Sequence, residues 1–149
     1  MSYQNTVNQR VKRLLDQHPH ISIEFRDNLF SILMENLNPN LVGNFTGGDM
    51  AYAANVSAGF QCVADGVISQ TASINIECIG RGDGDLLVAD SKIIHQGSKL
   101  LRMRCNVHVR NAGEDKLVAI AQMNMSPVSD QKRARELFET GGSNIENPK

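Results

Sequence analysis

From Leu101 to Arg110 apolar and polar residues alternate without a break. Leu101, Met103, Cys105, Val107 and Val109 fall on one side, and Arg102, Arg104, Asn106, His108 and Arg110 on the other. A period of two is that of a β-strand, and one apolar face against one polar face is expected of an antiparallel sheet. Comparable runs predict strands over 67–79, 85–96, 99–110 and 115–126. Gly82-Asp83-Gly84-Asp85 and Asn111-Ala112-Gly113-Glu114-Asp115 supply the turns between them, and Pro127 ends the last strand. Earlier in the chain Ile21, Ile23 and Phe25 alternate with polar residues. Arg26-Asp27-Asn28 then offers a turn, and Phe30, Ile32 and Met34 alternate again. This predicts a hairpin, with a helix over 29–37 as the competing assignment.

The pattern changes to a helical one in three places. Tyr3, Val7, Val11, Leu14 and Leu15 have the spacing of a short amphipathic helix ending near His18-Pro19. Thr46 to Ala64 reads as a long helix. Thr46-Gly47-Gly48-Asp49 has the form of a capping box, a hydroxyl at the cap and a carboxylate three residues on. Ala51, Ala53, Ala54, Ser57, Ala58 and Gly59 keep this helix thin, so that a curved sheet can approach it closely, and Asp65-Gly66 stops it. Ser129 to Thr140 predicts a short charged helix, and disorder is expected over Gly141–Lys149. The order of one long helix and then four strands with no helix between them predicts an α+β domain, an antiparallel sheet wrapped around one long central helix. The segments are an N-terminal helical piece over 1–18, the domain proper over 19–127 and a charged tail over 128–149.

With 149 residues, 41% hydrophobic, and a formal charge of −1, the chain is the size of one globular domain and lacks the basic excess of a nucleic-acid binder. No apolar run approaches the ~20 residues of a membrane span. The first ten residues lack an apolar signal core, so export is not expected. Cys62, Cys78 and Cys105 are odd in number and lie in apolar patterns. Buried free thiols in a reducing cytoplasm are the expected state. The four histidines show no metal-ligand spacing, and none is placed as a partner for a cysteine.

Chemistry is concentrated where the hairpin leads into the long helix. A Gly-Gly pair opens that helix, leaving backbone N–H groups unpaired with the positive end of the helix dipole behind them. Such a terminus suits a carbonyl oxygen or an anion.

Several motifs across about residues 20–127 resemble those of the phenylacetyl-CoA-type acyl-CoA thioesterases of the hotdog superfamily. Asn40-x-x-Gly43-x-Phe45-x-Gly47-Gly48 is similar to the family's N-x-x-G-x-x-H-G-G element. Gly84-Asp85-x-Leu87 resembles its G-D-x-L turn, His95-Gln96-Gly97 its H-x-G before the penultimate strand, and Lys116-Leu117-Val118-Ala119 its K-L-V-A. The resemblance implies a single hotdog domain, paired edge to edge into a homodimer or a dimer of dimers, with acyl-CoA as substrate and no cofactor beyond the coenzyme A it carries. It places the site at the dimer interface, with Asn40 and Gly47 from one subunit and Asn55 and Thr71 from the other. The Gly47 N–H would polarise the thioester carbonyl and Asn40 would brace the loop, although a residue in Asn-Pro-Asn is also an ordinary turn former. Hotdog dehydratases carry a histidine–aspartate or histidine–glutamate pair on this helix and loop, and this chain has none.

Two positions depart from the family. Thr46 stands where the histidine before Gly-Gly usually is, and Asn55 where a carboxylate is usual nine residues on. A carboxylate can take a proton from water or attack the thioester, whereas a neutral amide can do neither. Asn55 and Thr71 can still hold the attacking water. Asp49 is the one local carboxylate in position to replace the base, but it lies ~120° around the helix from Asn55 and is better explained as a cap. His95, Gly97, Lys99 and Arg102 are the candidates for coenzyme A, the basic ones through its phosphates; a solvated strand face is the plainer account of them. Met34, Met50, Met103, Met123 and Met125 are assigned to the core, and His18, His20 and His108 to the surface. Phe25, Phe30, Phe45 and Phe60 either line an acyl tunnel or fill the core. Thioester hydrolysis is the leading activity. A non-hydrolytic acyl-CoA-binding or regulatory protein is the alternative, and a ligand-free structural oligomer the third.

Overall fold

The computed structural model describes residues 2–36 and 44–140. The chain runs α1 (Tyr3–Gln17), β1 (Ile21–Arg26), β2 (Leu29–Glu35), α2 (Gly47–Ala64), β3 (Ser69–Cys78), β4 (Leu86–Gln96), β5 (Leu101–Asn111), β6 (Glu114–Pro127) and α3 (Gln131–Thr140). The six strands form one antiparallel sheet in the order β1-β2-β4-β5-β6-β3. Residues 29–35 are a strand, so the hairpin assignment holds and the helical one does not. Phe25 faces Phe30 and Arg26 faces Leu29 across a two-residue turn in which Asp27 takes a positive φ of 52°, a conformation that aspartate tolerates better than most residues. The β5–β6 turn is equally tight, with Ala112 and Gly113 at φ 51° and 80°.

The inner face of the sheet packs on α2. Leu101, Met103, Cys105, Val107 and Val109 from β5 join Ala119, Ala121, Met123 and Met125 from β6, and all are buried with Ala53, Ala54, Ala58 and Phe60 of α2. The small side chains of α2 permit this close approach. Among the described residues Ser57 is the one polar residue buried with them; its hydroxyl lies 2.8 Å from Ser91 Oγ and donates to the Ala89 carbonyl at 3.3 Å. Burial pushes the neighbouring Cys105 thiol up to about 12, which keeps it a neutral core group. The five methionines assigned to the core are all buried, as are Phe30, Phe45 and Phe60.

On the outer face Arg110 of β5 joins three elements. It donates to both carboxylate oxygens of Glu24 on β1, at 3.2 and 2.8 Å, and to both of Asp115 on β6, at 2.7 and 3.1 Å. These bonds hold Glu24 and Asp115 below the ordinary carboxylate range.

Two expectations fail. Cys62 and Cys105 are buried, but Cys78 is exposed, because it ends the edge strand where only one neighbour covers it. His18, His20 and His108 are all half-buried rather than surface residues, the first two packed with Tyr52 of α2. Tyr52 Oη lies 2.9 Å from His18 Nδ1, and the His20 ring stacks on the tyrosine. Burial, with His20 nearby, lowers the His18 pKa.

Candidate active site

The start of α2 is fixed by its own cap and by a neighbouring loop. Thr46 Oγ1 accepts from the Asp49 N–H at 3.1 Å and the Asp49 carboxylate accepts from the Thr46 N–H at 2.8 Å, a complete capping box. Phe45 is bridged to Gly82 of the β3–β4 loop, its N–H donating to the Gly82 carbonyl at 2.9 Å. A Cβ at Gly82 would lie 2.7 Å from the Phe45 carbonyl oxygen, so only glycine fits there. Gly84 is held as tightly, since a Cβ would fall 2.5 Å from the Arg110 carbonyl oxygen. Gly47 and Gly48 are exposed, at a helix start held by the capping box and the Phe45–Gly82 bridge. The Cys78 thiol borders Gly47, 3.5 Å from where a Cβ would stand. Asp49 serves as the cap, with one carboxylate oxygen committed to the backbone.

Further along α2 a narrow exposed stripe contains Gly48, Tyr52 and Asn55, spaced one turn apart. Thr71 of β3 meets Asn55 there, its hydroxyl donating to Asn55 Oδ1 at 2.5 Å and lying 3.6 Å from Met125 Sδ. The sheet register explains the aim. Thr71 pairs with Met125, and Ser73 with Asn124, so Ala72 is an extra residue in a bulge. Thr71 faces inward toward α2, and Ser73 faces outward. The pair leaves the Asn55 amide N–H groups and the Thr71 oxygen lone pairs free to bind a small polar ligand, with no strong proton acceptor of its own.

Gly47 and Asn55 do not meet within one chain. Eight residues of helix separate them by ~12 Å along the axis, too far for both to reach one reacting carbonyl. Asn40 and Gly43 lie outside the described residues. His95, Gly97, Lys99 and Arg102 gather around the tip of the β4–β5 hairpin. The Gly97 N–H closes the turn onto the Leu100 carbonyl at 2.9 Å, and His95 pairs with Arg102. Arg102 points outward, where its Nε donates to Asn124 at 3.4 Å and Asn124 donates to Ser73 at 3.0 Å. It is thus on the opposite face of the sheet from Thr71 and Asn55. Among the described residues no three His, Cys, Asp or Glu side chains are grouped to hold a metal ion. No helix described is long and apolar enough to cross a membrane.

The bulge at Ala72 and the Tyr52–His18–His20 cluster were not foreseen from sequence. The first depends on the register of β3 against β6, and the second on contacts between distant segments.

No family model and no curated protein matches the chain. Solved structures do. The Escherichia coli PaaI protein of the phenylacetic acid degradation operon aligns with a TM-score of 0.71 at 17% identity, over 86% of this chain and 97% of that one. A thioesterase family protein from Silicibacter pomeroyi gives 0.68 at 12% identity, over 85% and 98%. A hypothetical thioesterase from Streptococcus pneumoniae, solved with coenzyme A, gives 0.63 at 23% identity, over 74% and 90%. The chain has the hotdog fold that these proteins share.

Proposed function

We propose that this chain is a cytoplasmic hotdog acyl-CoA thioesterase with an altered active site, completed between two copies. The observation that carries the reading is the Thr71–Asn55 hydrogen bond on the exposed stripe of α2. It lies in a fold similar to that of thioesterases, one of which was solved holding coenzyme A. The Gly47 N–H of one copy holds the thioester oxygen as negative charge develops, a contribution of about 2.7–4 kcal/mol per donor in enzymes. Asn55 and Thr71 of the other copy hold the attacking water. Asn40 braces the oxyanion loop. His95, Lys99 and Arg102 take the phosphates of coenzyme A beside the Gly97 turn. Asp49 is the carboxylate available to accept a proton, at the cost of its cap.

The capping geometry of Asp49 and the neutral Asn55 favour a second reading, an acyl-CoA-binding protein with weak or no hydrolysis. Free-thiol release from short, medium, long and aromatic acyl-CoAs separates the two. The thioesterase reading expects turnover by the native chain and an increase in Asn55→Asp, where a base is restored. A native chain that binds acyl-CoA without releasing thiol, with release appearing only in Asn55→Asp, establishes the binding reading. Hydrolysis abolished by Asp49→Asn assigns the base to Asp49.

A further inference from the structure

At the far end of α2 from Gly47 an open groove of about 820 Å³ runs between α1, the end of α2 and α3. Its volume falls in the range of small-molecule sites, ~300–1,000 Å³. Arg10, Lys12, Arg13 and Arg135 line it against Asp16 and Asp65, a local positive excess in a chain whose formal charge is −1. Val63, Ile68 and Phe138 give it an apolar side.

The walls are fixed. Arg10 Nη1 donates to the Ala64 carbonyl at 2.6 Å and Arg135 Nη2 to the Gly66 carbonyl at 2.6 Å, so both guanidinium groups are oriented by the end of α2. Gln131 brackets Ile68 as a neighbouring strand would, accepting from its N–H at 2.9 Å and donating to its carbonyl at 2.8 Å. This ties the first turn of α3 to the start of β3. A guanidinium held by one nitrogen still presents further N–H donors in a planar fork, the geometry that suits phosphate.

We propose that this groove binds a small organic phosphate, its anionic part on the α1 and α3 cations and its organic body against Val63, Ile68 and Phe138. The groove lies beyond the thioester site along α2: Val63 stands eight residues, ~12 Å, past Asn55 and sixteen, ~24 Å, past Gly47, and Ile68 precedes Thr71 by three residues.

Isothermal titration of the full chain with ADP at low salt tests this, with pyrophosphate and adenosine as the two halves of the probe. Saturable ADP binding is expected, with pyrophosphate weaker and adenosine silent. Lys12 is exposed and makes no hydrogen bond or ion pair among the described residues, so Lys12→Glu should fold normally and weaken ADP about tenfold or more. Phe138→Ala should weaken ADP but leave pyrophosphate unchanged. Arg102→Ala, on the distant hairpin, should leave ADP binding at this groove intact. No saturable binding overturns the proposal. So does pyrophosphate binding as tightly as ADP, or affinity that survives Lys12→Glu and falls in Arg102→Ala, which would assign the nucleotide to the thioester site.

Discussion

β5 and β3 belong to one sheet and carry similar alternating sequences, yet they end in opposite environments. The inward residues of β5 are fully buried, Met103 at 0% exposure. Thr71, Ile74, Ile76 and Cys78 of β3 face the same way, opposite buried Met125, Met123, Ala121 and Ala119. Ile74 nonetheless stays 41% exposed, and Thr71 and Cys78 are exposed as well. β3 has one neighbour, α2 covers its inner face only in part, and the strand contains neither Lys nor Pro to discourage pairing. A ten-residue edge of this kind is normally covered. The difference is that β5 is finished by this chain alone, whereas β3 leaves an open edge that the proposed second copy would cover. The Thr71–Asn55 pair sits on the unfinished side.

The comparison can be broken most forcefully at its buried end. Met103→Ala should lose about 2–5 kcal/mol, read as a lower denaturant midpoint, because it empties a fully enclosed position. On β3 the effect should appear in association rather than folding. Ile74→Asp is expected to convert a dimer into a monomer in sedimentation or light scattering, while leaving the helical and strand circular dichroism in place. A native chain that is itself a monomer at micromolar concentration would remove the reason given for the exposed edge.

A smaller effect sharpens the same contrast through pH. Glu24 and Asp115 have lowered pKa values because Arg110 donates to both. Each therefore contributes stability that is fully present above its unfolded value, ordinarily 4.5 for Glu24 and 3.8 for Asp115, and lost as pH falls through the lower folded value. These groups are partly exposed, so the network is worth on the order of 1 kcal/mol after solvent screening. Melting temperature should drop below about pH 4, and Arg110→Gln should flatten that limb of the profile. An unchanged acid limb in Arg110→Gln would show that the network adds nothing to stability.

Much of this was legible in the chain because the deciding signals were local. The β5 alternation, the capping box at Thr46–Asp49 and the Asp27-Asn28 turn each involve a few neighbouring residues, and the structure has all three. The side chains of Thr71 and Asn55, both singled out in the sequence, are hydrogen-bonded to each other. Alternation alone could not show that β3 would be left exposed, since the same pattern serves central and edge strands. Cys78, apolar by its pattern, is exposed for that reason. The brace between Gly82 and Phe45, the histidines around Tyr52 and the Gln131 bracket on Ile68 depend on long-range packing, and no sequence period announces them.

A site shared between copies is the central claim, and complementation tests it most directly. Gly47→Pro removes the proposed oxyanion donor at the first helical position, where proline is well tolerated and the preceding Thr46 already has the extended backbone that proline requires (φ −85°, ψ 165°). Alone it should lose about 10²–10³ in kcat without melting earlier. Asn55→Ala should be similarly impaired. Co-expressed, the two variants should recover about a quarter of the native thiol-release rate, since half the dimers are mixed and each mixed dimer keeps one intact site. No recovery from a mixture of dimers, with each variant folded, would contradict a site built from two copies.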